Sequence, residues 1–234
     1  MTNTRAENPS KPQAVLSRFQ KIIGQKMLRS KQQIPCFYLQ MRADVTALLA
    51  LRRTLSRQSG VKVTTNDFFI RAIALAVTEY PLMGAGIQAG EVYIPDTVNV
   101  GFAVAAPEGL VVPVVKSAEK KTLVQIAAEA GELINKARSN RLTAADLEGA
   151  CITLSNLGVY GVDSFIAVVT PGQCAVLAAG NIIETAVPDG GGIAVRRVMT
   201  FDLSADHRIV NGAYAARFLN SIVQRLQHPR LLAK

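Results

Sequence analysis

A chain of 234 residues with 49% hydrophobic content is long enough to close one large core, and no apolar run approaches the roughly 18 residues of a membrane span. The N-terminus lacks the apolar stretch of a signal peptide, and Cys36, Cys151 and Cys174 are odd in number and far apart, which argues against a disulfide framework and a zinc site and for a cytoplasmic protein. The net charge of +9 is uneven: residues 1–62 carry 12 Lys/Arg against Glu7 and Asp44, while the remainder carries 14 against 15, so a solvated basic face and an acidic protein partner compete, and nucleic acid, with no accompanying motif, is the weakest reading.

Residues 1–14 are polar, contain Pro9 and Pro12, and read as a flexible N-terminal tail or linker remnant; residues 15–234 read as one folded domain. Ser17 can cap a first helix whose Phe19, Ile22, Ile23 and Met27 form an apolar stripe ending near Pro35. A second helix follows Asp44, with Val45, Leu48 and Leu49 on one side and Arg52 and Arg53 exposed. Thr65 or Asn66 caps a third, apolar on most faces and therefore buried. Val98, Val100, Phe102 and Val104 alternate with small residues, and residues 110–115 form a short apolar run in which Pro113 predicts an edge or a bulge. A fourth helix covers residues 122–137. Ile152 and Leu154 then alternate with Thr153 and Ser155, and further strands are predicted at 165–169, 174–179 and 193–203, with a glycine turn at 189–192. The last helix begins at or just after Asn211. Strands and helices do not alternate regularly, so the fold class is α/β with a mixed sheet and packed helices rather than a doubly wound parallel sheet.

His207 is one of only two histidines, so it is nearly the sole side chain suited to proton transfer near neutral pH. It lies between a strand pattern and a helix start, where a loop can present it to a pocket. An isolated histidine is more often merely solvated; the surrounding Asp206-His207-Arg208-Ile209-Val210-Asn211-Gly212 reverses that expectation. His228, before Pro229, reads as a helix C-terminal cap. Ser155 in Ser155-Asn156-Leu157-Gly158-Val159-Tyr160-Gly161 would alone be a strand serine before a turn. No glycine fingerprint for a dinucleotide, no Gly-x-Ser-x-Gly elbow and no metal-ligand spacing is present.

The two segments together resemble the His-x-x-x-Asp-Gly and Ser-Asn-Leu-Gly-x-aromatic-Gly signatures of dihydrolipoamide acyltransferases, relatives of the chloramphenicol acetyltransferases. The resemblance extends over nearly all of residues 15–234, including Ile34–Leu39, Val63–Phe68, Ala106–Val115 and Gly172–Ala178. It implies a two-layer chloramphenicol acetyltransferase-like fold with the active site between subunits of a trimer, and it makes residues 15–234 the catalytic domain. It assigns His207 as general base and Ser155 as oxyanion donor. Asn211 stands where the family most often has Asp and completes the catalytic set, Asp206, Arg208 and Gly212 support the loop, and Asn156 and Gly158 line the substrate channel. No metal or permanently bound cofactor is implied: coenzyme A is a substrate, and the lipoyl group comes from a lipoyl domain acting in trans or from a missing N-terminal module. The implied partners are further copies of the chain, in a trimer and possibly a cage of trimers docked through a Pro-x-x-Leu-Leu ending, together with the other 2-oxo acid dehydrogenase components, with no nucleic acid and no membrane. The form of the serine motif favours acetyl transfer. Cys36, where the family usually has His, reads as a buried thiol, with a reactive cysteine as the minority reading.

Two alternatives remain open at this level. One is a structural core subunit with reduced activity, for which Asn211 and Cys36 would be signs; the other is a free acetyltransferase for a small acceptor.

Overall fold

The computed structural model describes residues 15–107 and 109–233, so the tail read at residues 1–14 lies outside the described residues. The first helix, α1 (Arg18–Gln33), starts at Ser17 as expected, through a capping box with Gln20. The stripe expected along it is not buried: Ile22 is 55% exposed, and Phe19 lies outside the described side chains. Ser30 and Ile34 are the positions at which this end of the chain is buried, and the Ser30 hydroxyl donates to the Val169 carbonyl.

Strand β1 (Cys36–Asp44) follows at once, a strand absent from the sequence reading although Phe37, Leu39 and Met41 alternate with more exposed Tyr38, Gln40 and Arg42. Helix α2 (Thr46–Ser59) buries Leu48 and Leu49 and ends on Gly60 in the left-handed conformation. Helix α3 (Thr65–Glu79) is capped one residue earlier than expected. The Thr64 N–H and hydroxyl both donate to Asp67, so Thr64 and not Thr65 or Asn66 is the cap. Phe68, Phe69, Ile70, Ile73 and Ala74 are fully buried, as the all-round apolar pattern predicts.

The region after α3 is more broken than its sequence suggests. A hairpin of β2 (Gly86–Gln88) and β3 (Glu91–Tyr93) turns on Ala89 and Gly90, both with positive φ. The alternating run at 98–104 divides into β4 (Val100–Phe102) and β5 (Val104–Ala106), and the apolar run after it into β6 (Gly109–Val111) and β7 (Val114–Val115). Pro113 sits at the second break, where its carbonyl accepts from Phe102 N at 3.0 Å. Helix α4 (Leu123–Arg138) is capped by Thr122, and the single turn α5 (Ala144–Leu147) leads into β8 (Ile152–Asn156).

The two last strands are longer than predicted. Strands β9 (Ala175–Asp189) and β10 (Gly192–Asp206) form one antiparallel ribbon around the expected glycine turn, with a register shift between Met199 and Phe201. The strand expected at 165–169 is an irregular segment. Its polar backbone is satisfied by side chains instead of a ladder: Phe165 N donates to Asp202 at 3.3 Å and the Ser204 hydroxyl donates to the Ala167 carbonyl at 2.8 Å. Helix α6 (Gly212–Gln227) closes the chain with Ala215, Phe218, Leu219, Ile222 and Leu226 buried.

The main sheet has the order β1-β10-β9-β8-β4-β7, with β9-β8-β4 parallel and the outer pairs antiparallel. It is the mixed sheet with packed helices read from the sequence. Helices α3, α4 and α6 share with it one core in which Phe69 meets Phe201 edge-on.

Candidate active site

His207 is the first residue beyond β10, and the turn that carries it is built by Asp206. That carboxylate, 1% exposed, accepts Arg208 N at 3.0 Å and the Arg208 guanidinium in a two-pronged pair, Nε to Oδ1 at 3.0 Å and Nη2 to Oδ2 at 2.6 Å. Ile209 and Val210 N–H groups both donate to the Asp206 carbonyl. A buried carboxylate thus gains the cation it needs, and the turn leaves His207 outward. His207 N donates to the Pro35 carbonyl at 3.0 Å, and its ring packs against Phe37, centroids 4.7 Å apart. Among the described residues no hydrogen bond occupies the imidazole nitrogens, so both are available.

Asn211 lies four residues on, and its side chain has a definite task. Oδ1 accepts Tyr214 N at 3.0 Å, which makes Asn211 the N-cap of α6. Gly212 is the first helical residue, and a methyl added there would meet nothing within 4 Å. Asp206 ends β10 and Gly212 starts α6, and His207, Arg208 and Asn211 lie on the loop between them, the strand-to-helix connection expected from the sequence.

Ser155 is half-buried near the end of β8, and among the described residues its hydroxyl has no hydrogen-bond partner. The next residue, Asn156, donates from Nδ2 to Asn66 Oδ1 at 2.7 Å and accepts Gly158 N at 2.9 Å. Gly158 lies against the β9 backbone: a Cβ there would stand 2.2 Å from the Gly180 carbonyl oxygen. Asn156 and Gly158, expected along a substrate channel, are thus engaged in holding the turn after β8. In the sequence reading Asn66 is only a candidate helix cap within the Val63–Phe68 segment, with no sign of its contact with Asn156.

One chain does not bring Ser155 and His207 together. Ser155 pairs with Ala178, and Ala178 with Asp202, so the two residues are two strands and five positions apart. At sheet spacing that is roughly 15–20 Å, too far for both to act on one carbonyl.

Cys36 pairs with Asp206 across the ladder. Burial pushes its thiol up, and the neighbouring Asp206 charge adds to this, the opposite of what a reactive thiolate needs. A polar cavity of about 270 Å³ lies beside it, lined by Ser30, Lys31, Tyr38 and Val169 among others. A larger and mostly apolar cavity, about 770 Å³, is remote from His207, between Ala47, Ala50 and Leu51 of α2 and the residues around Leu231. His228 is the C-cap of α6, as expected. Among the described residues no helix is long and apolar enough to cross a membrane, and no three metal-binding side chains converge.

Residues 8–233 match the family model for the 2-oxoacid dehydrogenases acyltransferase catalytic domain. The chain belongs to that family. Acyltransferase relatives include the acetyltransferase component of the pyruvate dehydrogenase complex of Rickettsia bellii, 36% identical over 91% of this chain and 52% of the relative. Another is the lipoamide acyltransferase component of the branched-chain complex of Bacillus subtilis, 34% identical over 88% of this chain and 50% of the relative. The chain spans about half the length of these curated relatives. Among solved structures, a dihydrolipoamide acetyltransferase of Azotobacter vinelandii superposes with TM-score 0.90 at 33% identity, covering 97% of this chain and 96% of that one. That acyltransferase was investigated for the role of a serine, a histidine and an asparagine in its catalytic mechanism. A cubic core of a pyruvate dehydrogenase complex gives the same TM-score and coverage. A chloramphenicol acetyltransferase shares the fold, with TM-score 0.52 at 17% identity.

Proposed function

We propose that the chain transfers an acetyl group between dihydrolipoamide and coenzyme A, at sites completed between copies of the chain in a trimer. The observation that carries this reading is that His207 and Ser155, whose side-chain polar atoms have no hydrogen-bond partner among the described residues, stand at the sequence spacing of the Azotobacter relative. There the serine and histidine are 52 residues apart and the asparagine follows by 4, as Ser155, His207 and Asn211 do here. Asn211 is therefore a residue type shared with that relative, and its departure from Asp argues less for a decayed scaffold than the sequence suggests.

Thioester exchange starts from a thiol that is mostly protonated at neutral pH. His207 takes the proton as the sulfur attacks the acyl carbonyl, and the tetrahedral oxyanion accepts a hydrogen bond from the Ser155 hydroxyl. Collapse expels the other sulfur, to which His207 returns the proton. Base assistance of this kind supplies about 100- to 10,000-fold, and one oxyanion donor about 100- to 1,000-fold. The Asp206–Arg208 pair holds the turn that points the base outward. Coenzyme A and the lipoyl group act as substrates, the latter delivered by a lipoyl domain in trans or on the same polypeptide, with the other 2-oxo acid dehydrogenase components as partners.

Self-association is supported by the separation of Ser155 from His207 and by the apolar side chains that α1 and the segment before it leave exposed: Val15, Leu16, Ile22 and Leu28. The exposed Leu231 beside the apolar α2 cavity suits docking of one trimer on another. Acetyl transfer from acetyl-coenzyme A to dihydrolipoamide, measured beside His207→Ala, tests the reading. The expected result is a loss of at least about 100-fold in the variant with unchanged sedimentation; equal turnover by the two proteins would overturn it.

A further inference from the structure

Ser155 is carried where β8 has lost one of its two neighbours. The β4 ladder ends with Phe102 opposite Leu154, and the last bond from that side runs from Ala103 N to the Leu154 carbonyl at 2.9 Å. Ser155 and Asn156 keep only Ala178 and Ala179 of β9 as ladder partners. A strand end held on one edge can shift by an ångström, and that much is enough to misaim a hydroxyl at a developing oxyanion.

A side chain ties this end of the strand down from one face of the sheet. The Asn156 amide is used at both ends, donating to Asn66 at 2.7 Å and accepting Gly158 N at 2.9 Å, so its orientation is fixed. Asn66 is rigidly mounted. It is the second residue of α3, between the Thr64–Asp67 capping box and the buried Phe68, Phe69 and Ile70. Successive side chains leave a strand on opposite faces, so this tie lies behind β8 and leaves the Ser155 hydroxyl clear on the other side.

We infer that Asn66 is a positioning residue for Ser155, holding the end of β8 through Asn156 so that the hydroxyl meets the oxyanion. The inference rests on the reading of Ser155 as oxyanion donor. A double-mutant cycle tests it, with kcat for acetyl transfer measured for wild type, Asn66→Ala, Ser155→Ala and the double variant, beside Asn66→Asp. Asn66→Ala should lower kcat about 10- to 100-fold with KM for both substrates nearly unchanged. Asn66→Asp, which keeps the acceptor oxygen, should retain most of the activity. In the Ser155→Ala background Asn66→Ala should cost nothing further, because there is no hydroxyl left to aim. An equal loss in both backgrounds would mark a merely structural role and overturn the inference. So would an Asn66→Ala enzyme as active as wild type while Ser155→Ala is impaired. Full activity of Ser155→Ala would instead remove the reading on which the inference stands. Should Asn66→Ala fail to fold, Asn66→Ser, too short to reach Asn156, enters the same cycle.

Discussion

Asn211 has to stand four residues after His207 and also start a helix, and its amide oxygen does the second by accepting Tyr214 N. An aspartate carboxylate could accept the same bond and adds a charge favourable at a helix N-terminus. Asn211→Asp should therefore leave the stability of the fold within a few tenths of a kcal/mol, whereas Asn211→Ala should lose about 1 kcal/mol, read by urea denaturation. Equal stabilities of the alanine and aspartate variants would remove the cap from the account. At this scale the sequence was informative about identities and silent about partners. His207, Ser155 and Asn211 stand out because scarce or motif-bound residue types name themselves. Asn66 and Phe37 do not, since their roles arise from contacts between segments distant in sequence: Asn66 meets Asn156, and Phe37 meets His207.

Among the elements, α3 shows what burial does to a cap. Burial pushes the Asp67 carboxyl up to about 6 in spite of the two bonds it receives from Thr64, which pull it down. Its ordinary value is 3.8, so the native state holds the proton more tightly than the unfolded chain does between those values. Stability from this group therefore rises as pH falls through about 6 and levels off below about 3.8. Wild type should gain about 1 kcal/mol relative to Asp67→Asn when pH is lowered from about 7.5 to about 5, measured by denaturant melts. A difference that stays constant with pH would contradict the burial argument. The long periodic helices were legible because an apolar face repeats every third or fourth residue, and α4 and α6 follow their predicted spans closely. The irregular 165–169 segment was not: its apolar residues look like a strand, and only the tertiary partners Asp202 and Ser204 show why no ladder forms. Strand β1 is the converse case: Phe37, Leu39 and Met41 do alternate with Tyr38, Gln40 and Arg42, but the partner that makes the segment a strand, β10, lies far along the chain.

At the scale of the molecule, the sheet and its helices share one core, yet the two side chains proposed to do the chemistry lie apart. His207 follows the end of β10, while β8 carries Ser155 two strands away, so the proposed function requires a second copy of the chain to complete each site. Ile22 and Leu28 of α1 are left exposed among the described residues: an amphipathic pattern states that a face will be buried, not by which molecule. Mixing His207→Ala and Ser155→Ala chains, dissociated and reassembled together, tests the shared site most directly. Each variant alone should be nearly inactive, and the mixture should recover up to about a quarter of wild-type acetyl transfer, the statistical share of sites that pair an intact histidine with an intact serine from a neighbouring copy. A mixture no more active than its parents, although verified to contain mixed assemblies, would place both residues of each working site in one chain and contradict the account.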